Sequence, residues 1–145
     1  ETAVVPLGSM RYLPVATPHF LATWMPDGAD EDSLSRAPMV SYDRNDHIQR
    51  EALARFSSHI SEPPTVYIPA SAEYHRAVEL GMGWGLVPTA QITDALTTGR
   101  VVRFLDADVD VPLFWQYWKL SSPLLDAVTQ IIVDAARTEL LPAQS

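Results

Sequence analysis

At 145 residues with 47% apolar side chains, the chain has the length of one domain and enough apolar surface for a packed core, which excludes a disordered segment. No run approaches the roughly 18 uncharged apolar residues of a membrane span, and the absence of cysteine excludes disulfides, thiolate metal sites and thiol nucleophiles. The formal charge is −8, and the ten Lys and Arg side chains are scattered from Arg11 to Arg137 without the basic face that phosphates require, so this stretch does not hold nucleic acid by itself.

The opening residues Glu1 to Pro6 have neither a basic n-region nor an apolar h-region, so they do not read as a signal peptide; they read as a start inside a longer chain. Residues 11–16 form a short strand. Thr17-Pro18 then opens a helix, with Thr at the N-cap and Pro in the first helical position. It runs through Phe20, Leu21 and Trp24 and stops before Pro26-Asp27-Gly28. The acidic run from Asp27 to Asp32 reads as a solvated loop. A compact apolar strand covers 38–42, the turn Asp43-Arg44-Asn45 follows, and a helix spans 46–57 with Ile48, Ala52, Leu53 and Phe56 near one face.

Residues 65–69 form a third strand. Ser71 caps a third helix that ends at Leu80-Gly81, a glycine C-cap. Residues 84–88 and 101–105 are a fourth and fifth strand around a short helix at 89–97. Strands of about five residues alternating with helices of about ten indicate βα units and a mostly parallel sheet covered on both faces. The remainder differs: one long apolar-aromatic strand over 111–119 feeds the longest helix, 123–141. That helix has a wide apolar face, whose packing partners are expected upstream of this sequence or in a second chain.

Catalysis and metal binding find no support in the spacing. His19, His47, His59 and His75 form no i, i+4 pair and have no carboxylate at metal-site spacing. No G-x-S-x-G elbow surrounds any serine, and no nucleophile lies at a supported distance from a base. The glycines at 81, 83 and 85 follow a helix and precede a strand, the reverse of a dinucleotide loop; Trp84 between them reads as core.

The order of these motifs resembles the effector domain of LysR-type transcriptional regulators. Val5-Pro6-Leu7-Gly8 followed by Tyr12-Leu13-Pro14-Val15-Ala16-Thr17-Pro18 is similar to that family's crossing from one lobe to the other, and Gly81-Met82-Gly83-Trp84-Gly85-Leu86-Val87-Pro88 to its glycine-rich passage. Residues 6–12, Tyr42-Asp43-Arg44-Asn45-Asp46 and Pro112-Leu113-Phe114-Trp115-Gln116-Tyr117-Trp118 resemble the branch that regulates arginine and lysine exporters.

The resemblance implies an α/β, periplasmic-binding-protein-like (type 2) domain. It would comprise a crossing segment at 1–10, a complete second lobe at 11–110, and at 111–145 a return strand and closing helix that belong to the first lobe. Leu7, Gly8, Phe114 and Trp115 would sit at the hinge. It further implies a cytoplasmic homodimer or tetramer, without cofactor, metal or membrane contact. Such a protein would sense lysine, arginine or histidine and touch DNA only through an upstream helix-turn-helix domain. A free solute-binding protein of the same fold, or a small α/β enzyme, remains the alternative.

In such a fold a ligand lies between the lobes, at the carboxyl ends of strands and near helix N-termini, where free N–H groups suit an α-carboxylate. Thr17 and Ser71 stand at two such termini; each hydroxyl also serves as the cap of its own helix. Asp43 and Asp46 stand in a strand-to-helix turn and supply an acceptor for a basic side chain. Asp46 with Gln49 three residues on equally resembles a capping box, and Asp43 equally suits a turn. Tyr42 reads as core with a possible place in the pocket wall.

Overall fold

The computed structural model describes residues 1–142. Two compact units emerge, one of Tyr12–Val109 and one of Glu1–Arg11 with the chain from Asp110 onward. Strand β1 (Thr2–Ala16) contributes to both and is continuous with the expected strand at 11–16.

In the unit Tyr12–Val109, β1 leads into α1 (Pro18–Trp24), which starts as expected: the Thr17 hydroxyl accepts from the Phe20 N–H at 3.1 Å. The acidic run is not merely a loop. Asp30 accepts from the Ser33 N–H and the Ser33 hydroxyl accepts from the Asp30 N–H, a reciprocal box that starts α2 (Glu31–Arg36). Then follow β2 (Met39–Ser41), α3 (Ile48–Phe56), β3 (Thr65–Tyr67), α4 (Ser71–Glu79), β4 (Gly85–Pro88), α5 (Thr89–Thr97) and β5 (Val102–Arg103).

The strands lie in the order β3-β2-β4-β1-β5. β2 pairs parallel with β3, and a parallel bridge from Met39 to Trp84 joins β2 to the start of β4. β1 runs antiparallel to both β4 and β5, with Tyr12 opposite Pro88 and Val15 opposite Gly85 and Arg103. Four strands therefore point one way and β1 alone opposes them, which agrees with a mostly parallel sheet. Leu13, Val15, Val40 and Val87 pack with Tyr74, Ala77 and Val78 of α4 and Ile92 and Ala95 of α5. The alternate residues Pro14, Met39 and Leu86 are buried too, so both faces are covered, as parallel strands require. Helix α4 ends with Gly81 at φ +80, where the Met82 and Gly81 N–H groups reach the Ala77 and Val78 carbonyls in the paired pattern of a glycine-ended helix.

In the other unit, β1 pairs with β6 (Val109–Trp118). Contacts at both ends, Arg11 with Asp110 and Glu1 with Lys119, fix an antiparallel ribbon. Helix α6 (Pro123–Glu139) begins with the Ser122 hydroxyl accepting from the Leu125 N–H. It covers the half-buried side of β6, where the Trp115 indole N–H donates to the Thr129 hydroxyl at 3.0 Å. The opposite side of the ribbon leaves Val4, Phe114 and Trp118 exposed, and Leu124, Val128 and Ile131 form an exposed stripe on α6. After α6 the chain pairs back on β1, with Ser9 and Leu141 exchanging two backbone hydrogen bonds of 3.0 Å.

Gly8, at φ +128, sits beneath that return; a Cβ there would strike the Leu141 carbonyl oxygen. Gly8→Ala is therefore expected to unpair Ser9 from Leu141 and to cost about 1–3 kcal/mol, read as a lower urea midpoint with faster amide exchange at Ser9 and Leu141.

Candidate functional site

Parallel strands deliver their following loops to one edge of the sheet, and here the loop after β2 carries Asp43 and Asp46. The turn is built by its own carboxylates: one Asp43 oxygen accepts from the Asn45 N–H at 2.8 Å, and one Asp46 oxygen from the Ile48 N–H at 3.1 Å. Both residues are half-buried. The Ile68 N–H donates to the Ser41 carbonyl at 2.9 Å, which holds the exits of β2 and β3 together. The result is a cavity of about 320 Å³ between α3 and the β2–β3 edge, whose walls include Asp43, Asp46, Arg44, Arg50, Gln49 and Tyr67.

Behind it lies a buried polar cluster. Tyr74 of α4 donates its hydroxyl hydrogen to the Val40 carbonyl at 3.0 Å and accepts from the Leu86 N–H at 3.0 Å and the Gln49 amide at 3.2 Å. Burial pushes the Tyr74 hydroxyl far above its ordinary pKa, and the Asp46 charge adds to this. Tyr12 is raised as well, first by burial and then by Asp46. Gln49 is 2% exposed, and its Oε1 has no hydrogen-bond partner among the described residues.

The expected site residues are not all brought together. Asp43 and Asp46 line one cavity. The capping box of Asp46 with Gln49 is a correction: His47 holds the cap position, and Gln49 is turned into the core toward Tyr74. Ser71 lies beyond the carboxyl end of β3, on the same edge as Asp43, but it does not cap its helix. Ala70 occupies that position with no side-chain bond, and Ser71 is the first, exposed residue of α4.

Thr17 is separated from the rest. β1 runs against the other strands, so its end at Ala16 lies by the start of β4, and five residue-to-residue steps of strand, roughly 16 Å, divide Thr17 from Tyr12. Its hydroxyl is occupied with Phe20 and lies beside Gly81. Tyr42, read as core, is 43% exposed. Trp84 is fully buried, edge-on against Phe104 at 5.5 Å.

Sequence reasoning missed Gln49 and Tyr74 as a polar pair and Tyr67 as a cavity wall. A Gln on the apolar face of α3 and a Tyr inside an otherwise apolar stripe of α4 were the available signals. Among the described residues no group of three or more His, Asp and Glu side chains could hold a metal ion, and no helix is long and apolar enough to cross a membrane.

Residues 1–137 match the model of the LysR substrate binding domain. The chain belongs to that family. Its fold is the periplasmic-binding-protein-like one, and the relatives are transcriptional regulators. The lysine export transcriptional regulatory protein LysG of Corynebacterium efficiens is 40% identical over 138 residues, covering 94% of this chain and 47% of the relative. The crystal structure of ArgP from Mycobacterium tuberculosis superposes with a TM-score of 0.90 at 36% identity, over 99% of this chain and 49% of that one. Full-length LysG from Corynebacterium glutamicum with bound effector Arg gives a TM-score of 0.86 at 32% identity, over 97% and 48%. The chain spans about half the length of the curated relatives it matches.

Removing the Tyr74 hydroxyl leaves the Leu86 N–H buried without its acceptor and leaves the Gln49 amide only a 3.4 Å bond to the Val40 carbonyl. Tyr74→Phe is expected to cost about 2–4 kcal/mol in denaturant unfolding. The same group sets a pH dependence. The unfolded chain ionises Tyr near pH 10 while the folded chain keeps the proton, so the folded state binds more protons and wild-type stability falls as pH rises above about 10. The gap between wild type and Tyr74→Phe should narrow over that range.

Proposed function

We propose that the chain is the effector-sensing part of a LysR-type transcriptional regulator and that its effector is a basic amino acid, lysine, arginine or histidine. The observation that carries this reading is the pair of carboxylates, Asp43 and Asp46, fixed side by side in the wall of one cavity at the carboxyl ends of the strands. A cationic side chain needs such acceptors in partly desolvated surroundings. The cavity, about 320 Å³, lies at the lower end of the range for small-molecule sites. Support from the relatives is of the same kind: one carries lysine export in its name, and another was solved with arginine bound.

In this reading Ser71 and the uncapped first turn of α4 offer N–H groups to an α-carboxylate from the adjoining strand exit. Thr17, at the far edge, serves its helix alone. Tyr12–Val109 acts as the second lobe. The ribbon of β1 and β6 with α6 is part of the first, and Leu7, Gly8, Phe114 and Trp115 form its hinge segment. The exposed faces around Phe114, Trp118 and Leu124 are those that the remainder of a full-length regulator covers. Control of an amino-acid exporter, a homodimeric or tetrameric state, DNA contact through a helix-turn-helix domain and a cytoplasmic location complete the proposal.

A thermal-shift screen of the twenty amino acids against a full-length regulator carrying this chain tests it. Lysine, arginine or histidine should raise Tm, and Asp43→Asn or Asp46→Asn should weaken their binding roughly ten- to hundred-fold, the loss expected of a charge-assisted contact. A shift produced only by neutral or acidic amino acids would count against the reading.

A further inference from the structure

The cavity that holds Asp43 and Asp46 already contains a cation. Arg44, between them in sequence, lines the same cavity and places its guanidinium carbon 5.3 Å from the centre of the Tyr67 ring. Among the described residues it has no carboxylate partner. Each flanking Asp spends one oxygen on its own turn, Asp43 on Asn45 and Asp46 on Ile48, and the guanidinium rests on the ring face instead. Two carboxylates and an aromatic face in the wall of one cavity together describe a seat for a planar, multiply donating cation.

We propose that Arg44 is an internal competitor for the effector's cationic end. Its guanidinium occupies the ring face of that seat, and a free guanidinium or ammonium group reaches this face by displacing it outward. This rests on the effector reading above and adds a threshold to it. An exposed cation–π contact favours the held position by a factor of about two to five, so the occupied seat weakens apparent effector affinity about three- to six-fold. The positive charge of Arg44 acts in the same direction, because it opposes a second cation entering the cavity.

Calorimetric titration of a full-length regulator carrying this chain, wild type and Arg44→Gln, with arginine and with agmatine (arginine without its carboxylate) tests the proposal. Arg44→Gln should bind both ligands about three- to six-fold more tightly. In the wild type, the Arg44 side-chain protons should lose their upfield ring-current shift as arginine saturates the site. Weaker arginine binding with unchanged agmatine binding would make Arg44 a carboxylate anchor and overturn the proposal. Equal affinities in the two proteins would overturn it while leaving the effector reading intact. If neither protein bound either ligand, the effector reading itself would fall.

Discussion

One hydroxyl group organises the unit Tyr12–Val109. The Tyr74 oxygen lies where α4 crosses β2 and β4, and there it satisfies a carbonyl of one strand, an amide of the other and the side chain of Gln49 on α3. β2, β4 and α3 are thereby held to one point on α4, in surroundings where any unpaired member would be expensive. The arrangement requires the absence of a side chain opposite: a Cβ on Gly85 would lie 2.5 Å from the Tyr74 oxygen. The glycine that precedes Leu86 in β4 and the tyrosine in the middle of α4 are thus one device, although eleven residues separate them.

That device fixes the place of the carboxylates. Gln49, held by Tyr74, sets the rotation of α3 about its axis, and the turn of Asp43 to Asp46 bridges from β2 to the start of that helix. Ile68 tied to Ser41 prevents the exits of β2 and β3 from splaying. The cavity wall is therefore shaped from behind by a rigid core and in front by two short side-chain-to-backbone bonds. Ion pairs contribute elsewhere: Arg103 bridges Asp106 and Asp108, while Arg55 grips the Asp108 carbonyl, which pins the chain leading to β6.

The fold was largely legible because local signals agreed with one another. Thr17-Pro18, Leu80-Gly81 and the strand–helix alternation each have a local cause and kept their places, and α5 spans the residues that its periodicity indicates. Failures came where a side chain serves a distant partner. Gln49 looks like half of a capping box until Tyr74, twenty-five residues on, takes its amide. Ser71 looks like a cap until the helix starts one residue earlier. α2 was hidden because its box uses Asp and Ser in place of Ser and Glu. The direction of β1 decided the fate of Thr17, and strand direction cannot be read from a pattern of period two, which is the same in either sense. The acidic pair was visible as a motif; the Tyr67 ring beside it and the Gln49–Tyr74 pair behind it needed three-dimensional neighbours to acquire meaning.

The two Asx-type bonds of the acidic turn also bear on entropy. An aspartate free in a loop samples several rotamers, and a ligand that fixes it must meet that loss from its own binding free energy. Asp43 and Asp46 are restrained before any ligand arrives, each by a backbone amide within two residues. Under the proposed effector reading, their remaining oxygens would meet a cation as a template already set, and discrimination would fall on where charge sits in the ligand rather than on how well a loop can wrap around it.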